Sequence, residues 1–159
     1  MEFPERVYTE EEVKQAKALI DRGYKHETQV IGHTEFREKT EKALRLVKVA
    51  DFYDFFTAYI RSIKEIDGLT QLRQSEASIW TNKYAVENPV DAASLFVQKA
   101  NSMKEFLEGR LYYGGEAEKR SYEKRKEFLK VLKNKSLEKQ VIDECERLLK
   151  MWSESSIVY

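Results

Sequence analysis

The chain has 159 residues, 42% hydrophobic and 35% charged, with 28 basic and 28 acidic side chains that leave no formal net charge. A chain of that length fits one domain and buries roughly 70% of the surface its unfolded form exposes, so a substantial core is expected. Two prolines and six glycines exclude a fibrous or low-complexity polymer, a single cysteine excludes a disulfide framework or a cysteine-rich metal site, and no apolar run approaches the ~18 residues of a membrane span.

The opening Met1-Glu2-Phe3-Pro4-Glu5-Arg6 lacks the charged-then-apolar layout of a secretory signal, which leads to the expectation of a cytoplasmic chain. Charge is distributed unevenly. Residues 1 to 12 hold five glutamates and one arginine, whereas residues 116 to 139 hold nine lysines or arginines and five glutamates.

In chain order, Thr9-Glu10-Glu11-Glu12 is a capping box, and Val13, Ala16, Leu19 and Ile20 follow at helical spacing until Gly23. From Tyr24 to His33 the periodicity fails, and Thr28-Gln29-Val30-Ile31 before Gly32 reads as extended or irregular. A second helix is predicted over 34 to 50, with Phe36, Ala43, Leu44 and Val47 inward and Glu38/Lys42 and Glu41/Arg45 paired on the outside. Asp51 reads as the cap of a third, central helix whose stripe runs Phe52, Phe55, Phe56, Tyr59, Ile60, Ile63 and Ile66.

After Asp67-Gly68, the spacing of Leu69, Leu72, Ile79 and Trp80 predicts a fourth helix, with Glu76 on its inward face. Asn88-Pro89-Val90-Asp91 starts a long fifth helix, and its seam of Ala93, Phe96, Ala100, Met103 and Leu107 calls for nearly antiparallel neighbours. Gly114-Gly115 and Asn134-Lys135-Ser136 bound a sixth. The seventh presents Leu137, Val141, Ile142, Cys145, Leu148, Leu149 and Trp152 on one face. There Cys145 reads as a small core residue.

These patterns predict an all-α, single-domain bundle of six or seven helices with mostly antiparallel neighbours. A polar arm (1–8) precedes the helical domain (9–152), and a tail (153–159) ending Ile157-Val158-Tyr159 follows it.

Few residue types suited to reaction chemistry occur. His26 and His33, seven apart, would share a helical face and hold a divalent cation with Glu27, Glu35 or Glu38. Glu76, with Arg73 and Trp80, would form a polar pocket if its carboxylate is buried. Arg110, Tyr112, Tyr113, Lys119, Arg120, Lys124 and Arg125 mix cations and rings around a glycine hinge, as a single-stranded nucleic acid requires.

The scarcity of convergent catalytic types favours a non-catalytic interaction or assembly protein, a homo-oligomer or the binder of a protein partner, with no cofactor. The alternatives are a nucleic-acid-binding accessory protein acting through 110 to 135 and a metal-dependent enzyme at His26 and His33.

Overall fold

The computed structural model describes residues 2–155, so most of the C-terminal tail lies outside the described residues. Ten elements follow one another: α1 (Glu10–Asp21), β1 (Gln29–Ile31), α2 (Thr34–Val49), α3 (Tyr53–Tyr59), β2 (Ser62–Glu65), β3 (Gln71–Arg73), β4 (Ser78–Thr81), α4 (Pro89–Leu107), α5 (Gly115–Lys135) and α6 (Lys139–Ser155). The four strands make one mixed sheet in the order β1-β2-β4-β3, in which β1, β2 and β4 run parallel and β3 is antiparallel to β4. The fold is therefore α/β, and the all-α expectation is corrected.

Two segments account for the correction. The predicted third helix stops at Tyr59, after which Ser62–Glu65 pairs with β1 on one side and β4 on the other. Isoleucines at 60, 63 and 66 satisfy a helical stripe, but their β-branched side chains suit a strand whose backbone is bonded on both sides. The predicted fourth helix is a hairpin. Leu72 and Ile79, seven apart, are directly opposed cross-strand residues, as are Gln71 and Trp80. A tight 3-10 turn, Gln74–Glu76, and Ala77 at φ 51° reverse the chain between them.

The remaining helices start where the sequence signals them. Thr9 accepts from the Glu12 N–H at 3.2 Å while the Glu12 carboxylate accepts from the Thr9 N–H at 2.8 Å, closing the capping box of α1. The Asn88 side chain accepts from the Val90 and Asp91 amides at the start of α4. Asp51 does not cap α3: it stands at φ 61°, and its carboxylate pairs with Lys135 instead. Leu137 precedes α6 and is 99% exposed, outside the apolar face assigned to it.

Burial is concentrated on α4, where Ala92, Ala93, Phe96, Val97, Ala100 and Met103 are all fully enclosed. Small residues at 92, 93 and 100 let neighbouring backbones approach, and each fully buried large side chain contributes about 1.5–3 kcal/mol. Phe56, Phe128, Leu129, Leu132, Cys145 and Leu148 complete this interior. Cys145 is buried, which pushes its thiol up to about 11.

The sheet packs closely on one face, and the other is exposed except toward its amino end, where Ser78 is buried beside Ser62. Across its middle the register aligns Val30, Ile63, Ile79 and Leu72, of which Ile63 and Ile79 are fully buried. The intervening residues point the other way, and there Gln29, Ile31, Lys64, Gln71 and Arg73 are exposed. At the amino ends of the strands the 2–8 segment is tied down: Arg61 donates to the Pro4 and Glu5 carbonyls, and the Val7 N–H donates to Ser75 at 2.7 Å.

Candidate functional site

The parallel strands end side by side, and the loops leaving their carboxyl ends enclose a cleft of about 950 Å³. Open α/β sheets bind ligands at this edge because loops, free of ladder hydrogen bonds, converge there. The loop after β1 supplies His33, the loop after β2 supplies Ile66, Asp67, Gly68 and Leu69, and the loop after β4 supplies Asn82, Lys83 and Tyr84. Asn82 fixes two of these loops. Its amide donates to the Gly68 carbonyl at 3.0 Å while its oxygen accepts from the Tyr84 and Ala85 amides.

One wall is a pair formed by Glu65, the last residue of β2, and His33, which precedes α2. The Glu65 carboxylate accepts from the His33 backbone N–H at 2.8 Å and meets Nδ1 of the ring at 2.9 Å. The backbone N–H and then the ring hold the Glu65 carboxyl below the usual carboxylate range. Gly32 makes this approach possible, because a Cβ at that position would lie 2.8 Å from Glu65 Cβ and 2.9 Å from the Phe36 ring. The opposite wall is an ion cluster in which Lys39 bridges Glu35 at 3.0 Å and Glu87 at 2.5 Å. Those bonds lower the Glu35 carboxyl and raise the Lys39 ammonium.

The rim is apolar and unusually exposed: Leu69 is 86% and Tyr84 74% accessible, with Ile31 at 50% on the adjoining sheet face. On that face Trp80 lies between two cations, with the Arg73 guanidinium 4.3 Å and Lys64 Nζ 5.0 Å from its ring. A smaller depression running from Ile31 and Lys64 to His33 and Asp67 makes face and cleft one continuous surface.

The sequence candidates fall in three places. Arg73, Glu76 and Trp80 do come together, the first pair at 3.9 Å, but on the outer face of the hairpin, where the Glu76 side chain is half exposed. The inward-facing carboxylate of the helical reading does not exist.

His26 and His33 lie on either side of β1 and in opposite environments. His26 is buried, packed edge-on against Phe3 at 4.4 Å and Tyr24 at 5.0 Å, and its Nε2 has no hydrogen-bond partner. Burial first, and the nearby Arg61 charge second, lower its pKa to about 4. Among the described residues no three histidine, cysteine, aspartate or glutamate side chains converge as metal ligands.

In the 110–125 group, Arg110 and Arg120 both reach the buried Glu105 carboxylate, Arg125 pairs with Asp91 at 2.8 Å and covers Trp152, and Lys124 pairs with Glu127 at 3.0 Å. Tyr112 packs between Phe106 and Tyr113. Lys119 and Tyr113 remain exposed.

Sequence reasoning missed the His33–Glu65 pair and placed Leu69 in the apolar stripe of a helix, whereas it stands exposed on the rim with Tyr84. These residues are brought together by strand order, and the one local signal was Gly32, whose missing side chain marks a close backbone approach. No helix among the described residues is long and apolar enough to cross a membrane. No family model, curated protein or solved structure matches the chain.

Proposed function

We propose that this protein is a non-catalytic interaction protein that receives a protein partner at the carboxyl end of its sheet. The observation that carries this reading is the presence of Leu69 and Tyr84, both largely in water, on one cleft where Glu65, Glu35, Lys39 and Glu87 already have partners within the chain. Exposed apolar anchors encircled by polar groups are what a partner buries, with the charged rim fixing orientation. A reacting centre needs a different environment. His33 supplies the imidazole of the cleft, its ring stands almost wholly in water, and among the described residues that ring hydrogen-bonds only Glu65.

The nucleic-acid reading draws less support, because Arg110, Arg120, Lys124 and Arg125 already serve carboxylates of their own chain.

The test is differential capture from extract of the source cells on immobilised protein. A partner held by the wild type should be lost about tenfold or more with Leu69→Ser/Tyr84→Ser and retained by Leu137→Ser, an equally exposed leucine elsewhere. Equal capture by all three proteins would remove the site from consideration.

A further inference from the structure

The sheet has a free edge at β1. Because the Gln29 N–H donates to the Arg61 carbonyl of the β2 side at 3.0 Å, the parallel ladder turns the N–H and C=O of Val30 outward. They open into a groove of about 540 Å³ between the strand and α2. An unpaired row of backbone donors and acceptors is complementary to another extended backbone.

The flank of α2 beside that groove indicates which backbone. Glu38, Glu41, Lys42 and Arg45 are spaced i, i+3, i+4 and i+7, so they form one stripe, and all four are exposed. Among the described residues none of them makes an ion pair, although Glu38/Lys42 and Glu41/Arg45 have the spacing at which Lys17/Asp21, Glu35/Lys39 and Lys139/Asp143 do pair. The stripe is self-complementary. When two copies of α2 lie antiparallel, one register sets Glu38 opposite Arg45 of the second copy and Glu41 opposite Lys42 of the second copy, and the same twofold repeats both pairs.

Its centre falls between residues 41 and 42. Gln29 and Val30 line the same groove as Glu38, Glu41 and Arg45, so the centre of the stripe lies beside the strand edge. A single axis thus serves both the strand edge and the charged stripe.

We propose that β1 pairs antiparallel with β1 of a second copy of this chain, joining two four-stranded sheets into one of eight strands and sealing the seam with the α2 stripes. The outer sheet face and the Leu69/Tyr84 rim stay open in this dimer, so the proposal stands independently of the partner site above.

Sedimentation equilibrium of the full chain tests it, with circular dichroism and thermal melting of every variant as the control for folding. The wild type should sediment at twice the chain mass. Val30→Pro removes the outward N–H while keeping an apolar side chain at a partly buried position, a change edge strands tolerate, and should give a folded monomer. Glu38→Arg should weaken association by about tenfold, and Glu38→Arg/Arg45→Glu should restore it, because the swap re-forms each pair across the axis. A wild type that is monomeric at high concentration overturns the proposal. So does a dimer that survives Val30→Pro, or one for which the double swap is no better than the single variant.

Discussion

α4 and the four-stranded sheet sit side by side and treat apolar residues in opposite ways. α4 is closed on nearly every side, with Phe96, Val97 and Met103 all inaccessible, whereas the sheet buries Ile63 and Ile79 on one face and shows Ile31, Lys64 and Trp80 to solvent on the other. The same contrast holds for charge. Around the helices cations pair with carboxylates of the chain, as Arg120 does with Glu105 and Arg125 with Asp91, while at the sheet Lys64 and Arg73 lie over the partly buried Trp80 ring. The helical half holds the closed core, and the sheet leaves much of one face exposed.

The largest test of that division is a pair of aromatic truncations. Phe96→Ala should cost about 3–5 kcal/mol, because it removes a fully buried ring from a closed site. Trp80→Ala should cost less, about 1–2 kcal/mol, since the ring is partly buried, lies outside the core cluster and gives up two cation contacts. Chemical denaturation measures both, and similar losses would erase the distinction.

Between these lies Gly32→Ala, whose added methyl must displace Glu65 or the Phe36 ring and should cost about 1–3 kcal/mol. It should also break the Glu65 contact to the His33 amide, which shows as a shift of that amide in an NMR spectrum. An unchanged His33 amide would mean that the loop does not approach β2 this closely.

A smaller effect concerns pH. The folded His26 pKa of about 4 lies below its ordinary value near 6.5, so below that ordinary value the unfolded chain binds a proton that the native protein excludes. The contribution of the neutral ring is complete above about pH 6.5 and is lost as pH falls toward 4. His26→Phe keeps the contacts with Phe3 and Tyr24 and abolishes an unpartnered Nε2. Its melting temperature should therefore fall less than that of the wild type across this interval. Parallel curves would show that His26 is hydrated in the native protein.

The smallest effect on stability belongs to the rim. Leu69→Ser and Tyr84→Ser should each change stability by less than about 0.5 kcal/mol, because both side chains are already in water. A large destabilisation would place them in the fold rather than at a partner's disposal.

How legible each region was in the sequence follows the same boundary. α1, α2, α4, α5 and α6 declare themselves through local signals: the Thr9–Glu12 box, the Asn88-Pro89 start, and apolar stripes that a helix alone can satisfy. The sheet is made of three- and four-residue strands, too short for alternation to outweigh a helical count. A separation of seven residues is two helical turns, and it is equally the distance between opposed residues of a hairpin such as Leu72 and Ile79. What decides is the parallel pairing of Ile63 with Val30 and Ile79, contacts that no local window contains. The candidate site inherits that limit, since His33 and Glu65 meet only after β1 and β2 have paired.

NMR with a soluble paramagnetic probe measures directly whether the sheet has one packed and one largely exposed face. The side-chain signals of Ile31, Lys64, Gln71 and Arg73 should broaden together, while those of Ile63 and Ile79, one residue away on the same strands or on their immediate partners, stay sharp. Equal protection of both sets, or broadening of Ile63 and Ile79, would contradict it.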